Sequence, residues 1–161
     1  MPIEKYKHVR KRHNVSLLLY HIVLVAKYRR SVFSNDVDKV VIEICNELEL
    51  KYEIQFHEIW SDDNHVHFLV QSVPINSPQK IVQIMKSIIA KEVFKRAPEV
   101  KQWLRWWEFW TDWYYVNTVW WFGSVDMIEK YIKNQGNNTK NYKQMYRKQK
   151  VENLFGERIY V

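Results

Sequence analysis

The sequence contains few of the residues that cross-link or interrupt a chain. It has one cysteine, three glycines and four prolines among 161 residues. The single cysteine, Cys45, excludes an intramolecular disulfide framework, so we expect a buried thiol and a reducing, cytoplasmic compartment. Because glycine is scarce, no glycine-rich loop is present to cradle the phosphates of a nucleotide, and a reaction that consumes ATP is not expected.

Long apolar runs are also missing. No stretch reaches the roughly 18 uninterrupted apolar residues of a membrane span, and the basic N-terminus lacks the apolar segment of a signal peptide. An apolar content of 47% is nevertheless enough to build a core. We therefore predict one soluble, intracellular domain over residues 1–161 that makes no membrane contact.

Acidic residues are outnumbered by basic ones. The chain has 25 lysines and arginines against 18 aspartates and glutamates, a net charge of +7. Such a surplus favours a nucleic-acid partner, although it is also common on solvated surfaces. The basic residues are grouped and interleaved with aromatic residues, as in proteins that bind single strands by phosphate contacts and base stacking. The groups are residues 5–13, 27–30, 86–96 and 140–150.

The spacing of apolar residues predicts the order strand, helix, strand, strand, helix, strand. Continuous apolar runs and period-two alternation mark the strands, and apolar residues at helical spacing behind capping residues mark the helices. The predicted elements are strands at 16–26, 52–60, 65–70 and 110–119, with helices at 34–48 and 77–96. This order is a ferredoxin-like split βαβ fold, in which an antiparallel sheet carries both helices on one face. The class is α+β.

Two histidines stand two residues apart in the third strand. Strand side chains alternate between faces, so His65 and His67 point the same way, while Val66, Phe68 and Val70 point into the core beneath the helices. The spacing suits one divalent ion held by both rings. It also suits a pair of half-exposed strand histidines, and only a third ligand and a nucleophile would favour the metal.

Four other features carry predictions. Residues 1–14 lack periodicity and are interpreted as a loosely attached basic arm. In the first strand, His21 is expected to be packed or hydrogen-bonded rather than a ligand. In the second, Tyr52, Ile54, Phe56 and Trp60 alternate with polar residues and are predicted to share one face. Beyond Asn137 the chain is polar, basic and only weakly helical.

A last predicted helix, from Ser124 to about Gln135, supplies candidates for the third metal ligand and for the nucleophile. Tyr131 and Gln135 lie four residues apart, so their side chains can reach the same neighbouring point. By itself the pair is more typical of a partly buried tyrosine beside a solvated glutamine. Together with the histidines, an amide oxygen completes a neutral ligand set that leaves an ion able to polarise a phosphate, which a tyrosine hydroxyl could then attack.

Taken together, these segments resemble the single-tyrosine HUH transposases of the smallest bacterial and archaeal insertion sequences, often called TnpA-type and grouped with REP-associated tyrosine transposases. The resemblance spans residues 14 to about 149. It is carried by Tyr20-His21-Ile22-Val23, Lys27-Tyr28-Arg29, His65-Val66-His67, Phe109-Trp110, Tyr114-Tyr115-Val116-Asn117-Thr118-Val119 and Tyr131-Ile132-Lys133-Asn134-Gln135.

The resemblance implies a site and an activity. His65, His67 and Gln135 would bind Mg²⁺ or Mn²⁺, and Tyr131 would cleave and rejoin single-stranded DNA at hairpin ends through a 5′-phosphotyrosine. It implies a homodimer joined by the sheets, in which the tyrosine helix of one subunit can serve the histidines of the other. The domain would comprise the arm at 1–14, the core at 15–122, and the tyrosine helix and basic tail at 123–150. Expected DNA contacts are Lys27, Tyr28, Arg29, Arg30 and Lys86.

The sequence departs from this family in two respects. Asn64 precedes the histidines where the family more often has aspartate, which we regard as a minor change. Tryptophans stand where glycines are expected, and we interpret them as a divergent element or as UGA codons that the source organism reads as glycine. Ordinary UGG codons in the gene would exclude the second interpretation. These positions are Trp106, Trp107, Trp113, Trp120 and Trp121.

Two other functions remain open. The same strand order builds sheet-surface RNA-binding modules with exposed aromatic residues, so the chain could bind single strands without catalysis. It could also be a metal-dependent phosphodiesterase in which water attacks instead of tyrosine. A covalent protein–DNA adduct would distinguish the transposase from both.

Overall fold

The structure, a computed structural model, describes residues 6–104 and 108–119 in full and residues 143–147 as backbone. The predicted order of strands and helices is confirmed by β3 to β6 with α1 and α2. In chain order the elements are β1 (Val9–Arg10), β2 (Val15–Ser16), β3 (Leu18–Ala26), a 3₁₀ turn (Lys27–Arg29), α1 (Asn35–Lys51), β4 (Ile54–Ser61), β5 (His65–Ser72), α2 (Pro78–Arg96), α3 (Val100–Trp103), β6 (Trp110–Thr118) and β7 (Lys143–Arg147).

The main sheet has the order β6-β3-β5-β4-β7, and every pairing in it is antiparallel. Its first four strands are those of the predicted ferredoxin-like fold. The fifth, β7, pairs with β4 from Glu58 opposite Arg147 to Ser61 opposite Lys143. The prediction that the chain beyond Asn137 is only weakly helical is therefore wrong for residues 143–147. Pairing with β4 satisfies backbone groups that would otherwise be left at a sheet edge.

Both long helices begin where the sequence predicts, and α2 also ends at the predicted Arg96, whereas α1 continues past the predicted Leu48 to Lys51. Ser34 caps α1 by accepting a hydrogen bond from the Val37 amide (3.4 Å), and Ser77 caps α2 in the same way from the Lys80 amide (3.2 Å). Proline at the first position of α2 costs no helical hydrogen bond. No helix within residues 6–104 and 108–119 is long and apolar enough to cross a membrane.

The main core lies between the sheet and these helices. Val66, Phe68 and Val70 are fully buried in it, which confirms the predicted orientation of β5. Cys45 is also buried there, and burial raises the pKa of its thiol. The opposite side of the sheet, here called the histidine face, carries His65 and His67.

A β-bulge in β4 changes which side chains reach the core. Phe56 pairs with Val70, but Glu58 pairs with Leu69, so His57 is an extra residue in the strand. The alternation therefore shifts by one after the bulge. The prediction that Trp60 shares a face with Ile54 and Phe56 is wrong, because Trp60 lies on the histidine face in a second apolar cluster with Leu69.

Residues 6–14 are attached to the domain rather than loose. Strands β1 and β2 form a hairpin closed by a hydrogen bond from the Lys11 amide to the Asn14 carbonyl (2.8 Å). The hairpin is tied to β5 because Gln71 Nε2 donates to the Lys7 carbonyl (2.7 Å). Tyr6 is 7% exposed and packs in the second apolar cluster. The interpretation of this segment as a loose arm is therefore wrong from residue 6 onwards.

Candidate functional site

Strand β5 places His65 and His67 side by side on the histidine face. Their ring centroids are 5.1 Å apart. Pairing with β3 sets Val25 opposite His65 and Val23 opposite His67, so the imidazoles lie near the end of β3. The prediction that both rings point away from the helix-covered core is confirmed.

A neighbouring side chain holds the Nδ1 atom of each ring. His65 Nδ1 lies 2.7 Å from Asn64 Oδ1, and His67 Nδ1 lies 2.9 Å from His21 Nε2. An amide oxygen only accepts, so His65 donates from Nδ1 and keeps its lone pair on Nε2. His67 has the same tautomer when it donates to His21. Such outer contacts fix the ring orientation and tautomer of metal-binding histidines.

Burial favours the neutral form of these histidines. Burial lowers the pKa of His67 to about 2, helped by the charges of His21 and His65, and burial lowers the pKa of His21 to about 4. The pKa of His65 is lowered by burial and by the positive charge of Arg29, against an opposing effect of Asp62. A neutral imidazole is the form that binds a metal ion.

The donor chemistry fits a divalent ion, although it constrains which one. Two neutral imidazoles suit a transition ion such as Mn²⁺ better than Mg²⁺, which prefers oxygen ligands. Within the described ranges, no group of three or more His, Cys, Asp or Glu residues is placed to hold an ion. The expected third ligand, Gln135, and the expected nucleophile, Tyr131, lie outside the described residues, as does the whole predicted helix from Ser124.

His21 belongs to the site although the sequence predicted no ligand role for it. Its ring stacks on that of His67 with centroids 5.2 Å apart, and Tyr115 of β6 meets it edge-on at 5.8 Å. The expectation that His21 is packed or hydrogen-bonded is confirmed. Its partner could not be identified from the sequence, because the contact depends on the register that sets His21 opposite Leu69, two residues beyond His67.

The basic residues expected to contact DNA fall into two groups. Tyr28 is 59% exposed, and Arg29 and Arg30 are exposed beside it, at the end of β3 that adjoins His65. Lys86 lies on α2, where Nζ donates to the Thr111 carbonyl at 2.7 Å and the Asp112 carbonyl at 3.1 Å. The structure therefore places Tyr28 and both arginines beyond the end of β3 that pairs with His65, and it places Lys86 with the helices and the start of β6.

The turn that carries Tyr28 and Arg29 has an unusual backbone. Tyr28 has φ 56° and ψ 21°, and Arg29 has φ 51°. Residues other than glycine in this left-handed region cost about 1 to 3 kcal/mol each, so the surrounding contacts must hold the turn. The Lys27 amide donates to the Phe109 carbonyl (2.8 Å), and Lys27 Nζ pairs with Glu108 (2.6 Å).

Of the five tryptophans that stand where glycines are expected, the structure describes Trp113. It lies in β6, is 59% exposed, and has no positive φ. The backbone at this position therefore does not require glycine. Trp106, Trp107, Trp120 and Trp121 lie outside the described residues.

The fold and the site together define a class: an α+β protein with a split βαβ antiparallel sheet and paired histidines on the face opposite its two long helices. The family model described as "Transposase IS200 like" matches residues 14–135. The chain belongs to the IS200-like transposase family, and it is thus an enzyme of DNA transposition.

Individual relatives agree with this assignment. The chain is 29% identical over 116 residues to the transposase of insertion sequence IS200 from Salmonella typhimurium, covering 72% of this chain and 75% of that protein. It is 26% identical over 135 residues to the ISDra2 transposase TnpA of Deinococcus radiodurans, and the match covers 84% of this chain and 94% of that protein.

Solved structures share the fold. A crystal structure of a candidate transposase from Deinococcus radiodurans has a TM-score of 0.64 and 25% identity, and the match covers 79% of this chain and 97% of that one. A REP-associated tyrosine transposase, solved bound to a REP hairpin, has a TM-score of 0.58 and 10% identity. This match covers 95% of this chain and 99% of that one.

Proposed function

We propose that this transposase cleaves and rejoins single-stranded DNA through a 5′-phosphotyrosine on Tyr131, with His65, His67 and Gln135 holding a divalent ion. The observation that carries the proposal is the pair of imidazoles, each with its Nδ1 held by a neighbour, on the face of a transposase sheet opposite the helices. The imidazoles and an amide oxygen are neutral ligands, which leave the ion most of its charge.

The chemistry assigned to each group follows from its ionisation. A tyrosine hydroxyl has a pKa of about 10 and is a weak nucleophile at neutral pH, so it needs an activated phosphate. When bound, the ion supplies this by Lewis-acid polarisation. The Tyr131 hydroxyl loses its proton as its oxygen bonds to phosphorus, the bond from phosphorus to the 3′ oxygen breaks, and that oxygen takes up a proton to become a 3′-hydroxyl. A 3′-hydroxyl reverses the step in rejoining, which conserves the phosphodiester energy without ATP.

Asn64 and His21 have supporting roles in this scheme. Each one contacts the Nδ1 atom of a ligand histidine and so holds the Nε2 lone pair ready for the ion. An asparagine in place of the more usual aspartate supplies the same acceptor oxygen without a charge. This agrees with the expectation that the replacement is minor.

We also propose a homodimer that acts on hairpin DNA ends. Within the described residues, β6 pairs only with β3, which leaves the outer edge of a nine-residue strand available to a second sheet. Exposed aromatic residues, Trp113 and Tyr115, line this strand. The REP-associated relative was solved on a hairpin, and the +7 charge of this chain suits a phosphate-rich partner.

The test of the nucleophile is a covalent adduct. Purified protein with Mn²⁺ or Mg²⁺ and labelled single-stranded DNA carrying the element's own end should give a protein–DNA species that survives denaturing electrophoresis. Tyr131→Phe should abolish it, whereas Tyr52→Phe, at a half-exposed tyrosine after α1, should not. An undiminished adduct in Tyr131→Phe would exclude this nucleophile. Metal-dependent cleavage without an adduct would select the phosphodiesterase, and binding alone would select the non-catalytic module.

The same assay tests the ligands. His65→Ala and His67→Ala should each abolish the adduct and leave affinity for DNA within a few fold, because affinity depends mainly on phosphate contacts elsewhere. His57→Gln, at the β4 bulge, serves as the matched histidine control and should retain cleavage. Cleavage by the double alanine variant would refute the metal site.

A further inference from the structure

The turn Lys27–Arg29 combines features that a solvated loop does not need. Tyr28 and Arg29 are consecutive, neither is glycine, and both have positive φ. They are the only such residues within the described ranges. A loop without a function would relieve this strain by acquiring glycine or asparagine, since both tolerate the left-handed region. Strain that persists in a folded protein is concentrated at functional sites.

Contacts on both sides hold this turn at the histidines. Before it, the Ala26 amide donates to the Asn64 carbonyl (2.8 Å), and Val25 pairs directly with His65. Within it, the Arg30 amide donates to the Lys27 carbonyl (3.3 Å). On its far side, the ion pair between Lys27 and Glu108 anchors it to the segment that leads into β6.

The position of the turn allows Arg29 and Tyr28 to make different contacts with DNA. Arg29 is exposed and lies just beyond the end of β3, where Val25 pairs with His65 and the Ala26 amide donates to the Asn64 carbonyl, so its backbone is held beside the histidine strand. Tyr28 is 59% exposed, with Lys27 Nζ 5.7 Å from its ring centroid. A cation close to an exposed ring suits a base that stacks on the ring while its phosphate meets the cation.

We propose that Arg29 is a catalytic residue that contacts the scissile phosphate, and that Tyr28 stacks on a base next to it. The strained turn thus fixes the backbone of both residues before DNA arrives, which reduces the ordering that is required when the substrate binds. The assignment rests on the proposed function, because the scissile phosphate is the one attacked by Tyr131. It goes beyond that function because it distinguishes Arg29, which takes part in the reaction, from basic residues that only bind DNA.

The first arm of the test measures strain without any DNA. Replacement of Tyr28 by glycine should raise the midpoint of thermal unfolding by a few degrees, because glycine adopts positive φ without a steric penalty. The matched control is Tyr52→Gly, at an exposed tyrosine with φ −125°. There glycine should lower the midpoint, since it only adds conformational entropy to the unfolded chain.

The same Tyr28→Gly variant should bind single-stranded DNA about 10-fold more weakly, as expected for the loss of one stacked base. Fluorescence anisotropy with an oligonucleotide carrying the element's end, at one fixed salt concentration, gives this affinity. A gain in stability with a loss of binding cannot come from misfolding. A lower unfolding midpoint would refute the strain, and unchanged affinity would refute the stacking.

The second arm tests Arg29 by the rate of adduct formation in a single turnover. Arg29→Gln should lower this rate about 100-fold, as removal of one donor to a transition-state oxyanion does. Arg29→Lys should recover part of it, since lysine keeps the charge but not the fork of donors. Lys39→Gln removes an exposed charge from α1, on the other side of the sheet, and should leave the rate unchanged.

The contact with the scissile phosphate itself is tested with a methylphosphonate, which removes the negative charge of one linkage. With this linkage at the cleaved position, Arg29→Gln should differ from wild type by only a few fold, because the charge that Arg29 contacts is gone. With it one nucleotide away, the 100-fold difference should persist. An equal loss on all substrates, or no loss, would overturn the assignment of Arg29 while the adduct still supports the proposed function. Absence of the adduct in wild type would overturn both.

Discussion

At the scale of single residues, the site depends on histidines that burial keeps neutral. His21 and His67 are each 4% exposed and are hydrogen-bonded to each other on the histidine face. The low dielectric around them disfavours the charged form, and a second positive charge close by would add repulsion. The arrangement therefore suits a divalent cation, which must displace protons from its ligands. The cost is that the folded chain cannot accept protons at these positions in mild acid.

This cost should be measurable as a pH-dependent stability. An unfolded histidine has a pKa of about 6.5, whereas His21 and His67 titrate in the folded chain near 4 and 2. As pH falls below 6.5, only the unfolded chain takes up these protons, so folding should weaken by up to roughly 1.4 kcal/mol per pH unit per histidine, down to about pH 4. Urea unfolding with a chelator present gives the free energy at each pH.

The control is the double variant His21→Gln, His67→Gln, which has no imidazole at either position. Its stability should fall less steeply over the same pH interval. If the free energy of unfolding fell equally steeply with pH in the two proteins, other groups would control the pH dependence, and these imidazoles would not be held neutral.

At the scale of elements, the N-terminal hairpin is a structural part of the domain. It lies largely before the segment that matches the transposase family, which begins at residue 14. Its attachment joins polar and apolar contacts: Gln71 bridges His57 (2.8 Å) and the Lys7 carbonyl, and the Tyr6 ring meets His57 edge-on at 4.8 Å. Tyr6 and Lys7, which precede the hairpin, therefore cover the part of the histidine face that lies beyond Leu69.

Tyr6, which is buried, should contribute much of the stability of this attachment. Tyr6→Ala is expected to lower the free energy of unfolding by about 3 kcal/mol, because it removes a large side chain from an apolar cluster. The matched control is Val15→Ala in β2 of the same hairpin, where the side chain is 52% exposed and the expected change is within about 0.5 kcal/mol. Denaturant titration measures both. A loss in Tyr6→Ala as small as that of the control would mean that the hairpin contributes no stability.

At the scale of the whole molecule, the proposed dimer allows the two halves of a site to come from different subunits. The histidines lie on β5, whereas Tyr131 lies in sequence beyond β6, the strand with the available edge. A symmetric dimer would contain two equivalent sites, each of which can combine histidines from one subunit with tyrosine from the other.

Mixed dimers test this arrangement. Tyr131→Phe subunits and His65→Ala, His67→Ala subunits should each be inactive alone, yet their co-expressed mixture should recover roughly a quarter of wild-type adduct formation. Half of the dimers are then mixed, and each mixed dimer has one complete site. Light scattering should first confirm the dimer. A mixture without activity would show that each tyrosine acts on the histidines of its own subunit.

The sequence by itself determined the order of elements and the direction of the paired histidines. Both are recorded in local periodicity: apolar residues every second position in β5 and at helical spacing in α1 and α2, with Ser34 and Ser77 as caps. These patterns can be read because a side chain's face depends only on its own element. The roles of Tyr131 and Gln135 remain predictions from the resemblance.

Tertiary structure alone decided the features that depend on pairing between distant segments. The bulge at His57 sends Trp60 to the histidine face, and the register between β3 and β5 joins His21 to His67. The positive φ of Tyr28 and Arg29 likewise requires anchors at both ends of the turn. None of these leaves a local pattern, because each is stabilised by contacts with residues far away in the chain. They are nevertheless the features that orient the site.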